Sequence, residues 1–259
     1  MRNLVYYSTF GAGYQRLISL SLESMTRKSD MNNIDVLIFC DERTAFDLKI
    51  NNPNVNFFII SEPLNAHSIS YYRYKINEYL KASEYNKFLY LDTDTIVCDD
   101  INKIFNFMED EEAIYTNQGY GSELSHPSYT FDLSKEEVSY IKQNKLQGIN
   151  SGVFGFAKNN LQFFRDLTKF IDLNQRKFEC LDQPYFGTFL LRKKQKHIQI
   201  GNPLHSPNKE SCFVNNEALV NNSEVDHKKH VILHYAGSLG NAYAKIQKME
   251  IDFLKVMSQ

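Results

Sequence analysis

Apolar residues fall along the first hundred positions in short blocks, separated by polar and glycine-bearing stretches. Asn3–Ser8 reads as a short strand, with Gly11 and Gly13 after it. The spacing of Leu17, Ile18, Leu20 and Leu22 predicts a helix over Tyr14–Met25. Ile34–Cys40 and Val55–Ile60 are apolar runs of strand length. Ser70–Lys81 reads as a helix whose imperfect stripe is Tyr71, Tyr74, Ile76 and Leu80. Lys87–Leu91 is a fourth strand. Strands alternating with helices at this pace predict βαβ units and a mostly parallel α/β sheet.

The texture then changes. Asn117–Gly148 is polar, carries Gly119, Gly121 and Pro127, and holds one predicted helix around Ser134–Gln143; it reads as an excursion from the sheet. Strand character resumes at Ile149–Ala157, and helices are expected over Leu161–Leu173 and Gln183–Arg192. Gly201–Lys229 is again loop-like. Val231–His234 is a last short strand and Ala242–Val256 a C-terminal helix. No repeat or low-complexity linker divides the 259 residues, so a single domain spanning 1–259 is expected.

Composition narrows the function by exclusion. A net charge of -2 gives no basic surface for nucleic acid. The four cysteines, Cys40, Cys98, Cys180 and Cys212, are scattered with no Cys-x-x-Cys pair, which argues against a structural zinc and for a reduced, cytoplasmic setting. The N-terminus runs directly into Leu4-Val5-Tyr6-Tyr7, with no signal-peptide pattern. No apolar run approaches the roughly 20 residues of a membrane span, so peripheral contact is the only membrane role left open. Sixteen Tyr and 19 Phe with no Trp is an unusual aromatic inventory. Strand packing explains it better than a ligand cleft does.

The densest chemistry lies at 88–97, where an apolar strand breaks off at Asp92 and Asp94. Carboxylates two apart on an extended segment face the same way. Both could reach one divalent cation at the carboxyl edge of the sheet, where open α/β folds bind ligands. A solvated strand end is the plainer reading, but Thr95, Asp99 and Asp100 suffice to cap the helix that follows. His234 ends another apolar run and is a candidate third ligand, one that favours Mn²⁺ over Mg²⁺. Gly237 and Gly240 beyond it allow close approach to a phosphate. Asn150-Ser151-Gly152 opens a strand with residues suited to sugar hydroxyls or to a turn. Asp182-Gln183-Pro184 starts a helix, where capping alone accounts for Asp182. Arg73, among Tyr71, Tyr72 and Tyr74, could reach a diphosphate or sugar.

Taken in order, Tyr71-Tyr72-Arg73, Lys87–Val97 with its Asp-x-Asp, Asn150-Ser151-Gly152-Val153, Asp182-Gln183 and His234-Tyr235-Ala236-Gly237 resemble the retaining glycosyltransferases of the glycogenin and lipopolysaccharide galactosyl/glucosyltransferase type, family 8. The resemblance covers about two-thirds of the chain. It implies a GT-A, Rossmann-like fold in which residues 1–100 form the nucleotide-binding half and 101–259 the donor and acceptor half, with loop excursions at 117–148 and 201–229. It implies transfer of glucose or galactose from a UDP-sugar to a saccharide or glycan acceptor, with retention. Asp92, Asp94 and His234 would ligate Mn²⁺, with Mg²⁺ as the alternative. Ser8 and Thr9 would lie near the uridine. Arg73, Asn150, Ser151 and Asp182 would contact the donor sugar, and Gln183 its anomeric carbon; Thr93 and Gly237 would lie against the donor. Asp182 and Gln183 are the catalytic candidates. The family follows His-x-x-Gly, two residues on, with Lys-Pro-Trp, whose Lys meets the diphosphate. Here those positions are Gly240-Asn241-Ala242, and Lys245 is the nearest substitute.

Two alternatives share these residues. A haloacid-dehalogenase-type phosphohydrolase would use Asp92 as nucleophile, but its motif belongs on the first strand and its later acidic pair is missing. A glycogenin-like self-glucosylating protein would need one acceptor tyrosine, and none of the 16 is singled out.

Overall fold

Strand β1 (Arg2–Ser8) has no polar face to offer water. Leu4 and Tyr6 are buried on one side, Val5 and Tyr7 on the other. A strand apolar on both faces must be covered on both, as in the centre of a parallel sheet. A computed structural model, describing residues 2–50, 54–201, 213–215, 227–236 and 242–258, shows that placement. β1 runs parallel to β2 (Ile34–Cys40) and β4 (Tyr85–Leu91), and β2 to β3 (Val55–Ile59). Beyond β4 the sheet continues antiparallel through β7 (Gln147–Ala157) and β6 (Ile114–Glu123), then ends on the parallel edge β8 (His197–Gln199). The order is β3-β2-β1-β4-β7-β6-β8. A second, three-stranded sheet joins β5 (Thr95–Val97), β10 (Ile232–His234) and β9 (Val214–Asn215).

Helices cover both faces. α1 (Ala12–Lys28), α2 (Glu42–Lys49) and α4 (Asn102–Phe107) bury Ile18, Leu22, Leu48 and Phe105 against the Val5 face. α3 (Ala66–Tyr72), α6 (Leu161–Asn174) and α7 (Gln183–Arg192) pack on the Leu4 face. The aromatic surplus sits largely there. Phe154 of β7 has the rings of Tyr74, Tyr90, Phe164 and Phe186 between 5.1 and 5.8 Å away. Each such pair adds about 0.5–1.5 kcal/mol beyond area burial. α5 (Lys135–Gln143) starts at a Ser134–Glu137 capping box, and α8 (Ala242–Met257) closes over α1 and the small sheet through Met249.

The structure departs from the sequence pattern in four places. The helix expected over Ser70–Lys81 is α3, begun earlier by an Asn65–Ser68 capping box and ended at Tyr72. Arg73, Tyr74 and Ile76 are all buried; the chain passes into a 3₁₀ turn at Lys75–Glu78, and Leu80 is exposed. The segment 117–148 is not wholly an excursion, because β6 runs through it to Glu123 inside the main sheet. α2, β5 and β8 were not anticipated. Most of 201–229 lies outside the described residues, but Val214–Asn215 within it is a strand. Among the described residues, no helix is long and apolar enough to cross a membrane.

Candidate active site

Strand pairing assembles the site. β5 meets β10 antiparallel with Thr95 opposite His234, and Tyr235 N–H donates to the Asp94 carbonyl at 2.9 Å. The histidine is thereby set beside the acids despite its distance in sequence. Across β4 and β7, Asp92 N–H donates to Gly152 O at 2.7 Å. His234 Nε2 lies 3.6 Å from Asp92 Oδ2 and 3.5 Å from Asp94 Oδ1.

The second oxygen of each acid is already held. Asp92 Oδ1 accepts from the Tyr90 hydroxyl at 2.7 Å and faces Arg73 Nη2 at 3.1 Å. Asp94 Oδ2 pairs with Lys245 Nζ at 2.5 Å. One oxygen of each carboxylate and one imidazole nitrogen therefore face a common point, all three within 4.8 Å of one another. Neighbouring ligand atoms on an octahedron with bonds of about 2.1 Å lie about 3 Å apart, so a small contraction would complete a facial set for Mn²⁺ or Mg²⁺. Space is reserved as well. A Cβ added to Gly152 would fall 2.6 Å from both Asp92 Oδ2 and His234 Nε2. The residues fit a divalent cation.

Electrostatics agree with the geometry. Burial would push Asp94 upward, but Lys245 and His234 outweigh it and hold the carboxyl well below the usual range. Burial opposes protonation of His234, yet the hydrogen bonds and charges of Asp92 and Asp94 raise it to about 9.

This cluster opens on a cavity of about 530 Å³, and every sequence-predicted site residue within the described part of the chain lines it. Gly237, with Gly240 and Asn241, lies outside that part. Ser8 donates to the Tyr90 hydroxyl at 2.9 Å, since that hydroxyl is itself spent on Asp92. Thr9 Oγ1 is buried with no hydrogen-bond partner among the described residues, and Thr93 is buried between the acids. Asn150 lies inside β7 rather than at its opening, and its Oδ1 accepts from Gly152 N–H at 2.8 Å where the pairing with β6 shifts register.

Arg73 is buried rather than projecting. Nε donates to Ser70 O at 3.0 Å, and Nη1 to Ser151 O and Oγ at 2.9 and 3.0 Å. With Asp92 on Nη2, most of its donors are engaged, and it knits three segments of the cleft together. Asp182 corrects a simpler expectation. It occupies the N-cap position of α7 but makes no side-chain cap. Its carboxylate is buried, accepts from the Tyr74 hydroxyl, and lies 3.5 Å from Arg73 Nε. Burial raises its pKa, with Arg73 opposing. Gln183 is held at both ends of its amide: Ser151 N–H donates to Oε1 at 3.2 Å, and Nε2 donates to Ser128 O at 3.0 Å.

Sequence reasoning missed Tyr90 and Tyr74, although Tyr90 shares a strand face with Asp92 by simple alternation. His126, Ser128, Tyr129 and Glu179 also line the cavity, carried there by segments that gave no signal.

Residues 18–239 match the sequence profile described as Glycosyl transferase family 8. The chain belongs to that family. No curated protein sequence matches it, but family 8 membership agrees with the solved structures it resembles. An active-site mutant of LgtC superposes with a TM-score of 0.63 at 14% identity, covering 99% of this chain and 95% of LgtC. Mouse xyloside xylosyltransferase 1 gives 0.57 at 12%, over 93% and 98%. The bifunctional glycosyltransferase WbbM gives 0.59 at 15%, and there this chain spans 52% of the other. Identities so low speak for the fold, which is GT-A. The family 8 assignment makes the chain a glycosyltransferase and leaves the phosphohydrolase alternative without support.

Proposed function

We propose that this chain is a metal-dependent retaining hexosyltransferase that moves glucose or galactose from a UDP-sugar to a saccharide or glycan acceptor. The observation that carries the reading is the convergence of Asp92 Oδ2, Asp94 Oδ1 and His234 Nε2 at the edge of the 530 Å³ cavity. A galactosyltransferase structure of LgtC, bound to donor and acceptor sugar analogs, aligns over 96% of this chain with a TM-score of 0.59 at 15% identity and supports the substrate class by likeness. Residues 1–100 would form the nucleotide half and 101–259 the sugar half. Free thiols at Cys40, Cys98 and Cys180 suit a cytoplasmic setting.

In this reading Mn²⁺ or Mg²⁺, when bound, acts as a Lewis acid on the diphosphate. Ser8, Thr9 and Thr93 line the nucleotide end. Lys245, one turn into α8, offers its ammonium to the departing diphosphate in place of the absent Lys-Pro-Trp lysine. Asn150, Ser151 and Asp182 bind sugar hydroxyls, while Arg73 keeps Asp92, Ser151 and Asp182 in place. The bond from the anomeric carbon to the diphosphate oxygen breaks. The acceptor oxygen bonds the same face, and its proton passes to the leaving diphosphate. Gln183, a poor nucleophile, orients the anomeric carbon through its fixed amide. Incubation with a panel of UDP-sugars and saccharide acceptors, read by mass spectrometry and by the anomeric proton coupling of the product, tests this. Product with inverted configuration, or none from any UDP-hexose, would count against it.

A further inference from the structure

Five non-glycine residues among those described have positive φ: Asp132, Lys145, Gln175, Leu181 and Lys194. Lys145, Gln175 and Lys194 come within two residues of the ends of α5, α6 and α7, where a left-handed residue is an ordinary helix ending. Asp132 is short and polar, a type that tolerates this region. Leu181, at φ 54, has neither excuse, and it lines the cavity.

Leu181 is the first central residue of a turn closed by Gln183 N–H donating to Cys180 O at 3.2 Å. Positive φ at that place in a turn favours glycine. What the turn achieves is visible in the next two residues. Asp182 stands at the N-cap of α7, where its backbone carbonyl accepts from the Tyr185 and Phe186 amides at 3.0 and 3.3 Å as in any helix start, but its side chain makes no cap. Its carboxylate instead points inward to Tyr74 and Arg73. Gln183 follows, with its amide pinned between Ser151 and Ser128. Strained backbone that survives beside a cleft is held there by its surroundings.

We propose that Leu181 is a positioning residue, whose left-handed backbone turns Asp182 and Gln183 into the cleft instead of leaving Asp182 to cap α7. The turnover readout of this proposal rests on the transferase reading; the backbone readout does not. Valine keeps an apolar side chain but disfavours the left-handed region, whereas asparagine tolerates it.

The test compares Leu181→Val with Leu181→Asn, each alone and combined with Asp182→Asn. We expect Leu181→Val to lower kcat for the donor about tenfold more than Leu181→Asn does, with a smaller change in KM. In the Asp182→Asn background the gap between the two variants should narrow, because one of the two residues they act through is gone. The same four-way comparison read by thermal unfolding needs no substrate. There the extra loss of melting temperature in Leu181→Val should shrink once Asp182 is replaced. If wild type turns over no donor, the transferase reading fails and the unfolding cycle still decides for or against Leu181. Should Leu181→Val not fold, Leu181→Ala against Leu181→Gly carries the same contrast. Equal behaviour of the paired variants, or a difference undiminished by Asp182→Asn, overturns the proposal.

Discussion

Lys245 Nζ sits 2.5 Å from Asp94 Oδ2, and the other oxygen of that carboxylate faces His234 at 3.5 Å. One acid thus joins a lysine of α8 to the cation cluster, and the lysine borders the cavity. Lys245→Ala should lower turnover of a UDP-sugar by about 100-fold, the scale of removing one stabilising group from a leaving oxyanion. Initial rates at saturating donor, with circular dichroism to confirm the fold, check this. Unchanged rates would mean that Lys245 serves Asp94 alone.

Loss of a metal ligand should be felt more strongly than loss of its supports. His234→Ala and Asp94→Asn are each expected to weaken Mn²⁺ binding beyond the roughly 10–100-fold that an outer-shell partner costs. Tyr90→Phe removes a hydrogen bond to Asp92 but no ligand, so it should fall within that range. Isothermal titration of Mn²⁺ into the three variants ranks them. Equal affinities would place the ion elsewhere.

Gly152 gives a sharper probe, because only space is changed. Gly152→Ala puts a methyl group 2.6 Å from His234 Nε2 and Asp92 Oδ2, where one of the ligands must move. Mn²⁺ binding and transfer should fall at least about tenfold, with far-UV circular dichroism unchanged, since alanine is no worse than glycine in a strand interior. Wild-type affinity in this variant would show that the cluster is roomier than the structure has it.

Much of this was legible in sequence because burial speaks through simple alternation. β1, β2 and β4 are apolar on both faces over runs of strand length, too short for a buried helix. The Asp-x-Asp, Asn-Ser-Gly and His segments stood out for the complementary reason, polar chemistry where a strand stops. β6 stayed hidden because its buried positions include Thr116, Asn117 and Gln118, polar residues that read as loop. α2 was missed because, squeezed between two strands, it buries only Thr44, Ala45 and Leu48. Tyr74 and Leu181 left no trace because their roles depend on a buried partner and on a backbone angle, and neither can be read from residue type.

Stability should carry one clear acid signature away from the metal site. Asp41 caps α2 by accepting from Thr44 N–H at 2.9 Å and Oγ1 at 2.7 Å, and it also holds Gly11 N–H, just past β1, at 3.1 Å. Burial works to raise its pKa, but those hydrogen bonds outweigh it and lower the pKa in the folded state. A depressed carboxyl contributes stability that is complete above its unfolded pKa of about 3.9 and is lost as pH falls through the folded value. Asp41→Ala should therefore cost about 1 kcal/mol at pH 7, with the difference shrinking below about pH 4. Urea unfolding of both proteins from pH 7 to pH 3 checks it. A gap that is constant down to pH 3 contradicts the charged-cap account.

The central claim is that Asp92, Asp94 and His234 hold a divalent cation for a nucleoside diphosphate. Isothermal titration of UDP into the protein, with Mn²⁺ and again with excess chelator, tests it most directly. The account predicts saturable UDP binding with Mn²⁺ that weakens by about 100-fold or more when the metal is removed, and a similar loss in Asp94→Asn with the metal present. UDP binding of equal strength with and without metal, or no binding in either condition, would contradict it.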